Sequence, residues 1–374
     1  MSLYQVYAQY PITIVSANGM QLVDDKGETY LDYYGGHAVI SVGHGHPHYT
    51  QALHDQLDRI AFYSNVIENP LQVELDQRIN AHLEEPYQLF MCSTGAEANE
   101  NAMKLASFKT QRKKILAFKN SFHGRTSAAV AATDSPKIWA PLNTGHEVDF
   151  VPFEDLEKCE QLLSSRAYAA VIIETVQGVG GLDQPTIEFA KGLQQLCEAH
   201  GSMLIADEVQ SGFGRTGAFF SYQRFGLSPD IISMAKGMGN GFPVAGIMVK
   251  QQYQAVQGEL GTTFGGNFLA CRAALAVIDI IENENLIAHA KRLEQVFRKA
   301  VSEASLPATI KGAGLMIGLD FKTPTAELRK KLLFEDHLFV GSSSNPNVVR
   351  ILPALTIDQE AIIHLVSCIK KHCA

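Results

Sequence analysis

Lys236 stands in SMAKGMGNGFPVAG (233–246), one amine among four glycines and a proline, just after the apolar pair Ile231-Ile232. So permissive a backbone lets other atoms come close, and an amine held there has the chemistry to condense with a carbonyl or to carry a proton. An isolated Lys-Gly pair is equally an exposed loop, so the reading turns on what stands at comparable positions. Three other segments place reactive groups directly after apolar runs. Thr94, Gly95 and Ala96 follow QLFMCS (88–93) where a helix begins, and hydroxyls with free N–H groups at such a start either cap the helix or bind phosphate. Phe122 and Arg125 lie in NSFHGRTSAA (120–129). They read as a packed ring and a surface arginine, or as a ring stacked on a planar ligand beside a two-pronged carboxylate grip. Asp207 ends the apolar run of SMLIADEV (202–209), where a buried charge calls for a partner.

These groups need elements to bring them together. Short apolar segments alternate with helical periodicity through the middle of the chain, which is the α/β pattern. In TIEFAKGLQQLCEAHG (186–201) the positions Phe189, Ala190, Leu193, Leu196 and Cys197 share one helical face, and Gly201 suits the residue after the helix end. Strands are expected at 88–93, 113–118, 168–176, 202–209, 229–234 and 244–249, apolar on both faces as in a buried, mostly parallel sheet. In open sheets of this kind ligands lie beyond the carboxyl ends of the strands, where all four groups stand. Together a phosphate cradle, a stacking ring, a buried acid and an amine fit pyridoxal 5′-phosphate. Asp207 would keep the ring nitrogen protonated, and Lys236 would carry the cofactor and relay a proton.

From about Asn267 the texture changes to a long helical pattern followed by short strands such as LMIGLDF and VVRILPAL. The expected organisation is an N-terminal segment over 1–36 packing with a small domain, a large cofactor-binding domain over 37–266, and a smaller α+β domain over 267–374. GMQLVDDKGETYLDYYGG reads as a hairpin turning at Lys26-Gly27.

Composition narrows the partners. The 374 residues are 46% hydrophobic, with 31 Lys and Arg against 39 Asp and Glu and a formal charge of −8. That balance points away from nucleic acid and toward a small-molecule enzyme. No window approaches the apolar length of a membrane span, and the start lacks a basic, apolar leader, so a cytoplasmic location is expected. The six cysteines form no C-x-x-C pair, which suits reduced thiols rather than a metal site. His44, His46 and His48 in GHGHPH could be drawn as metal ligands, but Pro47 fits the first turn of a helix that would splay their rings, so no metal is expected. Gly237-Met238-Gly239-Asn240-Gly241 raises the class of nucleotide-binding oxidoreductases, yet its spacing is not G-x-G-x-x-G.

The motifs YLDYYGG…VGHGHP, STGAEANENAMKLA, NSFHGRTSAA, ETVQGVGG, ADEVQSGFGRTG, DIISMAKGMGNGFPVAG, GTTFGGNFLA and VVRILPAL resemble, in order and over nearly the whole length, the class III pyridoxal-phosphate aminotransferases of fold type I, most closely the acetylornithine aminotransferases. The resemblance implies that Lys236 carries the cofactor, Asp207 pairs with the pyridine nitrogen and Gln210 lies near the ring hydroxyl. It assigns the phosphate to the Thr94-Gly95-Ala96 segment and ring stacking to Phe122. It further implies an obligate homodimer, with Thr263 on the phosphate and Thr262 near the substrate of the partner's site. Arg125 resembles the arginine for the distal carboxylate of an ω-amino donor, and Arg350 the one for the α-carboxylate of glutamate or 2-oxoglutarate. The implied activity is transfer of the δ-amino group of an N-acylornithine to 2-oxoglutarate in arginine synthesis, with ornithine and 4-aminobutyrate aminotransferases as the nearest alternatives. One position departs from the pattern: Val179 replaces the usual glutamate of Q-G-E-G-G. An unpaired Arg350 is the expected result when a donor with one carboxylate is bound, and with it acceptance of N-succinylornithine, which carries a second carboxylate, at least as well as N-acetylornithine.

Overall fold

The computed structural model describes residues 3–373. Its centre is a seven-stranded sheet in the spatial order Tyr87–Cys92, Ala245–Lys250, Ile231–Met234, Met203–Asp207, Tyr168–Ile173, Lys114–Phe118 and Val148–Val151. Four neighbouring pairs run parallel. Ala245–Lys250 alone is antiparallel to both of its neighbours, so the other six strands share one direction and present their carboxyl ends along one edge. The expected run at 168–176 stops as a strand at Ile173, and the one at 202–209 stops at Asp207. The residues beyond each end are released from the ladder to build a site.

The central strands are buried on both faces, which their Val, Ile, Leu and Ala content requires: every residue of Tyr168–Ile173 and of Met203–Asp207 is buried. On one side the helix Ile187–His200 lays Phe189, Leu193 and Cys197 against Phe118, Ile173 and Leu204. Thr186 caps it by accepting the Phe189 N–H at 3.1 Å, and Gly201 ends it at φ +66°. On the other side the helix Gly95–Thr110 packs Ala98, Ala102, Leu105 and Ala106 against Ile172, Ile205 and Ile247. Its small side chains let the helix lie close to the sheet, so its first turn ends over the strand ends.

The long helical pattern of the C-terminal third is two helices, Phe268–Asn283 and Leu286–Ala304, broken at Asn285, which takes φ +52°. They lead into a second sheet ordered Thr309–Ala313, Met316–Asp320, Val348–Ile351, Gly341–Ser342. A third sheet joins Ile14–Asn18, Gln21–Asp24 and Thr29–Asp32 to Leu338–Phe339, the last pairing parallel with register Leu31↔Leu338. The N-terminal hairpin, turning at Gly27 with φ +83°, is thus stitched to the C-terminal segment. One apolar cluster contains residues on both sides of 267, from Tyr33 and Val42 to Leu275, Phe297 and Leu365.

A helix does start at Pro47, running to Arg59. The three histidines of GHGHPH go to three separate acids: His44 to Asp32 at 3.1 Å, His46 to Glu284 at 2.9 Å and His48 to Asp279 at 3.1 Å. Among the described residues no helix is long and apolar enough to cross a membrane.

Candidate active site

A cavity of about 390 Å³ opens at the carboxyl edge of the central sheet. It gathers Thr94, Gly95, Ala96, Phe122, Arg125, Asp207, Gln210 and Lys236, residues spread over 143 positions of sequence, onto one set of walls. Thr262, Thr263 and Arg350 are not on those walls.

Lys236 arrives through the connection between Ile231–Met234 and Ala245–Lys250. It sits at φ +48°, a left-handed backbone that costs a non-glycine residue about 1–2 kcal/mol. Contacts from the N-terminal part hold it there. Ser41 Oγ donates to the Gly237 carbonyl at 2.6 Å, Tyr49 donates to the Gly239 carbonyl at 2.5 Å, and Asn240 Oδ1 accepts the N–H groups of Ser41 and Val42 at 2.8 and 3.0 Å. A Cβ at Gly239 would lie 2.2 Å from the Phe242 carbonyl oxygen, so the tight return needs a glycine there. The amine makes no hydrogen bond among the described residues. Burial pushes its pKa below the usual lysine range, against the pull of Asp207 and Glu174, and Arg350 lowers it further.

Asp207 closes its strand 4% exposed. The sequence calls for a cationic partner; the structure supplies His123, whose Nδ1 lies 2.7 Å from Oδ2, together with Asn99 Nδ2 at 2.8 Å and the Val209 N–H at 3.0 Å. Asn99 also donates to the His123 carbonyl at 2.8 Å and accepts from Ser233 Oγ at 2.5 Å. The acid is therefore oriented by a net of hydrogen bonds, and no lysine or arginine is used to neutralise it.

Thr94 does cap its helix, accepting the Glu97 N–H at 3.2 Å, while the Glu97 carboxylate takes the Ser93 N–H at 2.8 Å. Capping is observed, and it leaves the amides of Gly95 and Ala96 without a partner among the described residues, on the cavity wall. The close fit of this corner explains its glycines. A Cβ at Gly95 would sit 2.5 Å from Val209 Cγ1, and one at Gly124, φ +146°, would sit 2.8 Å from the Ala96 Cβ.

Glu174, four residues before Gly178, is a site residue that sequence reasoning passes over. Its carboxylate accepts the Phe122 N–H at 2.8 Å and the Gly178 N–H at 2.9 Å, tying the ring-bearing loop to the QGVGG loop. Burial pushes its pKa up to about 7, with His123 opposing and Asp207 adding to the rise. His123, Asn99 and Val209 are missed likewise. Val209 has a legible signal, lying two residues beyond Asp207, whereas His123 and Asn99 need the tertiary fold to meet the acid. Gln210 donates to the His37 carbonyl at 3.1 Å, and its Oε1 is buried without a partner.

Arg350 is 3% exposed, yet its charge reaches Lys236. The expectation that Val179 leaves it unpaired is corrected by its hydrogen bonds. Its Nη1 donates to the Gly178 carbonyl at 2.8 Å, its Nη2 to the Tyr34 hydroxyl at 2.8 Å, and its Nε to the Ser342 carbonyl. All three acceptors are neutral. Among the described residues neither Arg350 nor Arg125 has a carboxylate within ion-pairing distance. Arg125 is exposed, with its guanidinium carbon 5.9 Å from the Phe122 ring centroid.

A parallel sheet carrying a lysine loop, a buried aspartate and a bare helix start along one edge defines a transaminase fold, and the chain belongs to the class-III aminotransferases, whose family model matches residues 4–373. It is an enzyme of that class, a transaminase. Among similar proteins are the acetylornithine aminotransferase of Bacillus subtilis, 40% identical over 99% of this chain and 97% of the relative, and that of Archaeoglobus fulgidus, 37% identical over 96% and 95%. A solved structure of ornithine aminotransferase from Toxoplasma gondii superposes with a TM-score of 0.92 at 26% identity, covering 99% of this chain and 92% of that one.

The cofactor of this class is pyridoxal 5′-phosphate, and the cavity fits it. Two unpartnered amides at a helix start suit a phosphate, the orphaned Gln210 Oε1 suits a ring hydroxyl, the anchored Asp207 suits a protonated ring nitrogen, and Lys236 is a free, desolvated amine.

Proposed function

We propose that the protein transfers the δ-amino group of an N-acylornithine, acetyl or succinyl, to 2-oxoglutarate, giving the acylglutamate semialdehyde and glutamate, as a cytoplasmic step of arginine synthesis. The observation that carries this reading is the pair of arginines without acid partners, one at the cavity mouth and one buried beside it, around a single reactive amine. They suit a donor with one carboxylate distal to its amine and an acceptor with two. The relatives' names point to the same donor.

The chain's residues divide the work. Lys236, Asp207, Gln210, Phe122 and the amides of Gly95 and Ala96 would hold pyridoxal 5′-phosphate, which supplies an electron sink for the negative charge that develops on the substrate carbon. Asp207 keeps a proton on the ring nitrogen, and the His123 and Asn99 bonds fix which carboxylate oxygen faces inward. Lys236 Nζ, whose pKa burial lowers, is the group placed to move the proton from the carbon bearing the donor's amine. Phe122 and Val209 exclude water from that carbon. Arg125 holds the donor's carboxylate, and Arg350 holds the α-carboxylate of the acceptor in the second half of a ping-pong cycle.

Values of kcat/KM for N-acetylornithine, N-succinylornithine, ornithine and 4-aminobutyrate test the reading. At least one acylornithine should exceed both free amines by about tenfold or more, equivalent to about 1.4 kcal/mol of transition-state discrimination. Ornithine or 4-aminobutyrate matching the better acylornithine would overturn it. The acyl group is left to this measurement, since the argument for succinyl from an unpaired Arg350 no longer stands.

The active unit is proposed to be a homodimer with shared sites. Thr262 lies in a separate cleft of about 960 Å³ with Asn65, Ile67 and Val73, and Thr263 is exposed. Large apolar side chains are exposed in the same segments, Val66 at 84% and Phe264 at 64%, which suits a face covered by a second chain. Mixing inactive Lys236→Ala chains with inactive Thr263→Ala chains should restore turnover in heterodimers. Confirmed heterodimers that stay inactive would mean that each chain completes its own site.

A further inference from the structure

The residues Gly35, Gly36, His37 and Ala38 all have positive φ, 55°, 53°, 70° and 62°. Four consecutive left-handed residues, two of them with side chains, are held only where surroundings force them. Asp32 Oδ1 starts the turn by accepting the N–H groups of Tyr34 and Gly35 at 3.0 and 2.7 Å. Its handedness brings His37 back over Tyr34, and the Tyr34 hydroxyl lies 2.5 Å from His37 Nδ1. The same hydroxyl oxygen accepts Arg350 Nη2 at 2.8 Å. The Tyr34 ring is seated against the backbone of Gly341, where a Cβ would lie 2.2 Å from Tyr34 Cε2. Burial raises the Tyr34 phenol above its ordinary range, while burial, Arg350 and Lys236 lower the His37 imidazole. Both groups are then neutral near pH 7, and the chain of donors is consistent: arginine to tyrosine oxygen, tyrosine hydroxyl to histidine nitrogen.

Two of the three acceptors on Arg350 are main-chain carbonyls of Gly178 and Ser342, fixed by their loops. Tyr34 is the one side chain among them. Resting on the reading of Arg350 as a carboxylate ligand, we propose that Tyr34, held by His37 on the left-handed turn, is the exchangeable cover of Arg350, leaving Nη2 when the α-carboxylate of a dicarboxylate arrives and returning when the donor is bound. An incoming carboxylate exchanges a bond from the guanidinium to a neutral hydroxyl for one between opposite charges, and has no ion pair to break. Between substrates each guanidinium nitrogen keeps a hydrogen-bond partner, which lowers the cost of its burial when a donor with a single carboxylate is bound.

Calorimetric titration of the holoenzyme with glutarate, a dicarboxylate that has no amine or keto group to react, tests the cover directly. Tyr34→Phe removes the competing hydroxyl and keeps the ring against Gly341. It should bind glutarate about threefold to tenfold more tightly than the wild type, the size of one net hydrogen bond. Val179→Glu places a carboxylate beside Gly178; it should weaken glutarate binding at least tenfold and should remove the benefit of adding Tyr34→Phe. In half-reactions, the Tyr34→Phe change for glutamate should exceed that for the acylornithine by threefold or more. Equal or weaker glutarate binding by Tyr34→Phe, with a wild-type affinity that Arg350→Gln abolishes, would overturn the cover and leave the substrate reading intact. Wild-type glutarate affinity that Arg350→Gln leaves unaltered would overturn the substrate reading, and this inference with it.

Discussion

Replacing Lys236 by alanine should reduce kcat by about 10³-fold or more, because among the described residues no other amine lines the cavity to take the proton from the substrate carbon. The variant should still bind pyridoxal 5′-phosphate, reversibly, through the Gly95 and Ala96 amides and Asp207. Borohydride reduction of the wild-type holoenzyme followed by peptide mapping should label Lys236. Label on another lysine, or near-normal turnover in Lys236→Ala, would remove this residue from the chemistry. The expectation has a physical root beyond spacing. Lys236 is the cavity's only lysine, it is held at φ +48°, and burial depresses its pKa. Its place on the cavity wall and its depressed pKa set it apart from a surface lysine.

Replacing Asp207 by asparagine should cost about 10²- to 10³-fold in kcat while changing cofactor affinity far less. The carboxylate favours the protonated ring nitrogen most strongly as negative charge builds on the substrate carbon, which is a transition-state effect. The surrounding net sharpens the effect. His123 Nδ1 and Asn99 Nδ2 both approach Oδ2, so an amide at 207 must turn its oxygen toward them and can then present only its N–H₂ group inward. That group cannot accept the ring proton. Saturated turnover close to wild type, with only binding weakened, would refute the assigned role.

Much of this site is legible before any coordinates are known, for a particular reason. Thr94, Phe122 and Lys236 follow strands and Asp207 ends one, and strands buried on both faces write themselves as apolar runs; reading the residues at the ends of the runs is reading the sheet's carboxyl edge. Glu174 follows a strand too, but the apolar pattern runs on to Val176 and takes the glutamate into the expected strand. Only the fold shows that the Phe122 and Gly178 amides turn back onto it. His123 and Asn99 reach Asp207 from other elements, and no local pattern records a meeting across 84 and 108 positions. The direction of Ala245–Lys250 is invisible for a related reason, since an apolar strand buried on both faces reads the same whichever way it runs. The expected plight of Arg350 fails because the sequence argument counts only charged side chains as partners. Carbonyls from two loops and a phenol accept the guanidinium's hydrogen bonds, and they leave no trace in a search for acids.

The antiparallel course of Ala245–Lys250 bears on how the enzyme is made. Because it pairs with Ile231–Met234 in register Gly246↔Met234, the lysine loop is the tip of a hairpin, a contact the chain can form early with little entropy of closure. The groups that hold the tip in its left-handed shape come from Ser41, Val42 and Tyr49, separated from it by 196, 198 and 190 positions. The strands beneath Lys236 can therefore pair long before the lysine takes its working conformation, and the amine becomes competent only when the N-terminal part of the chain has docked.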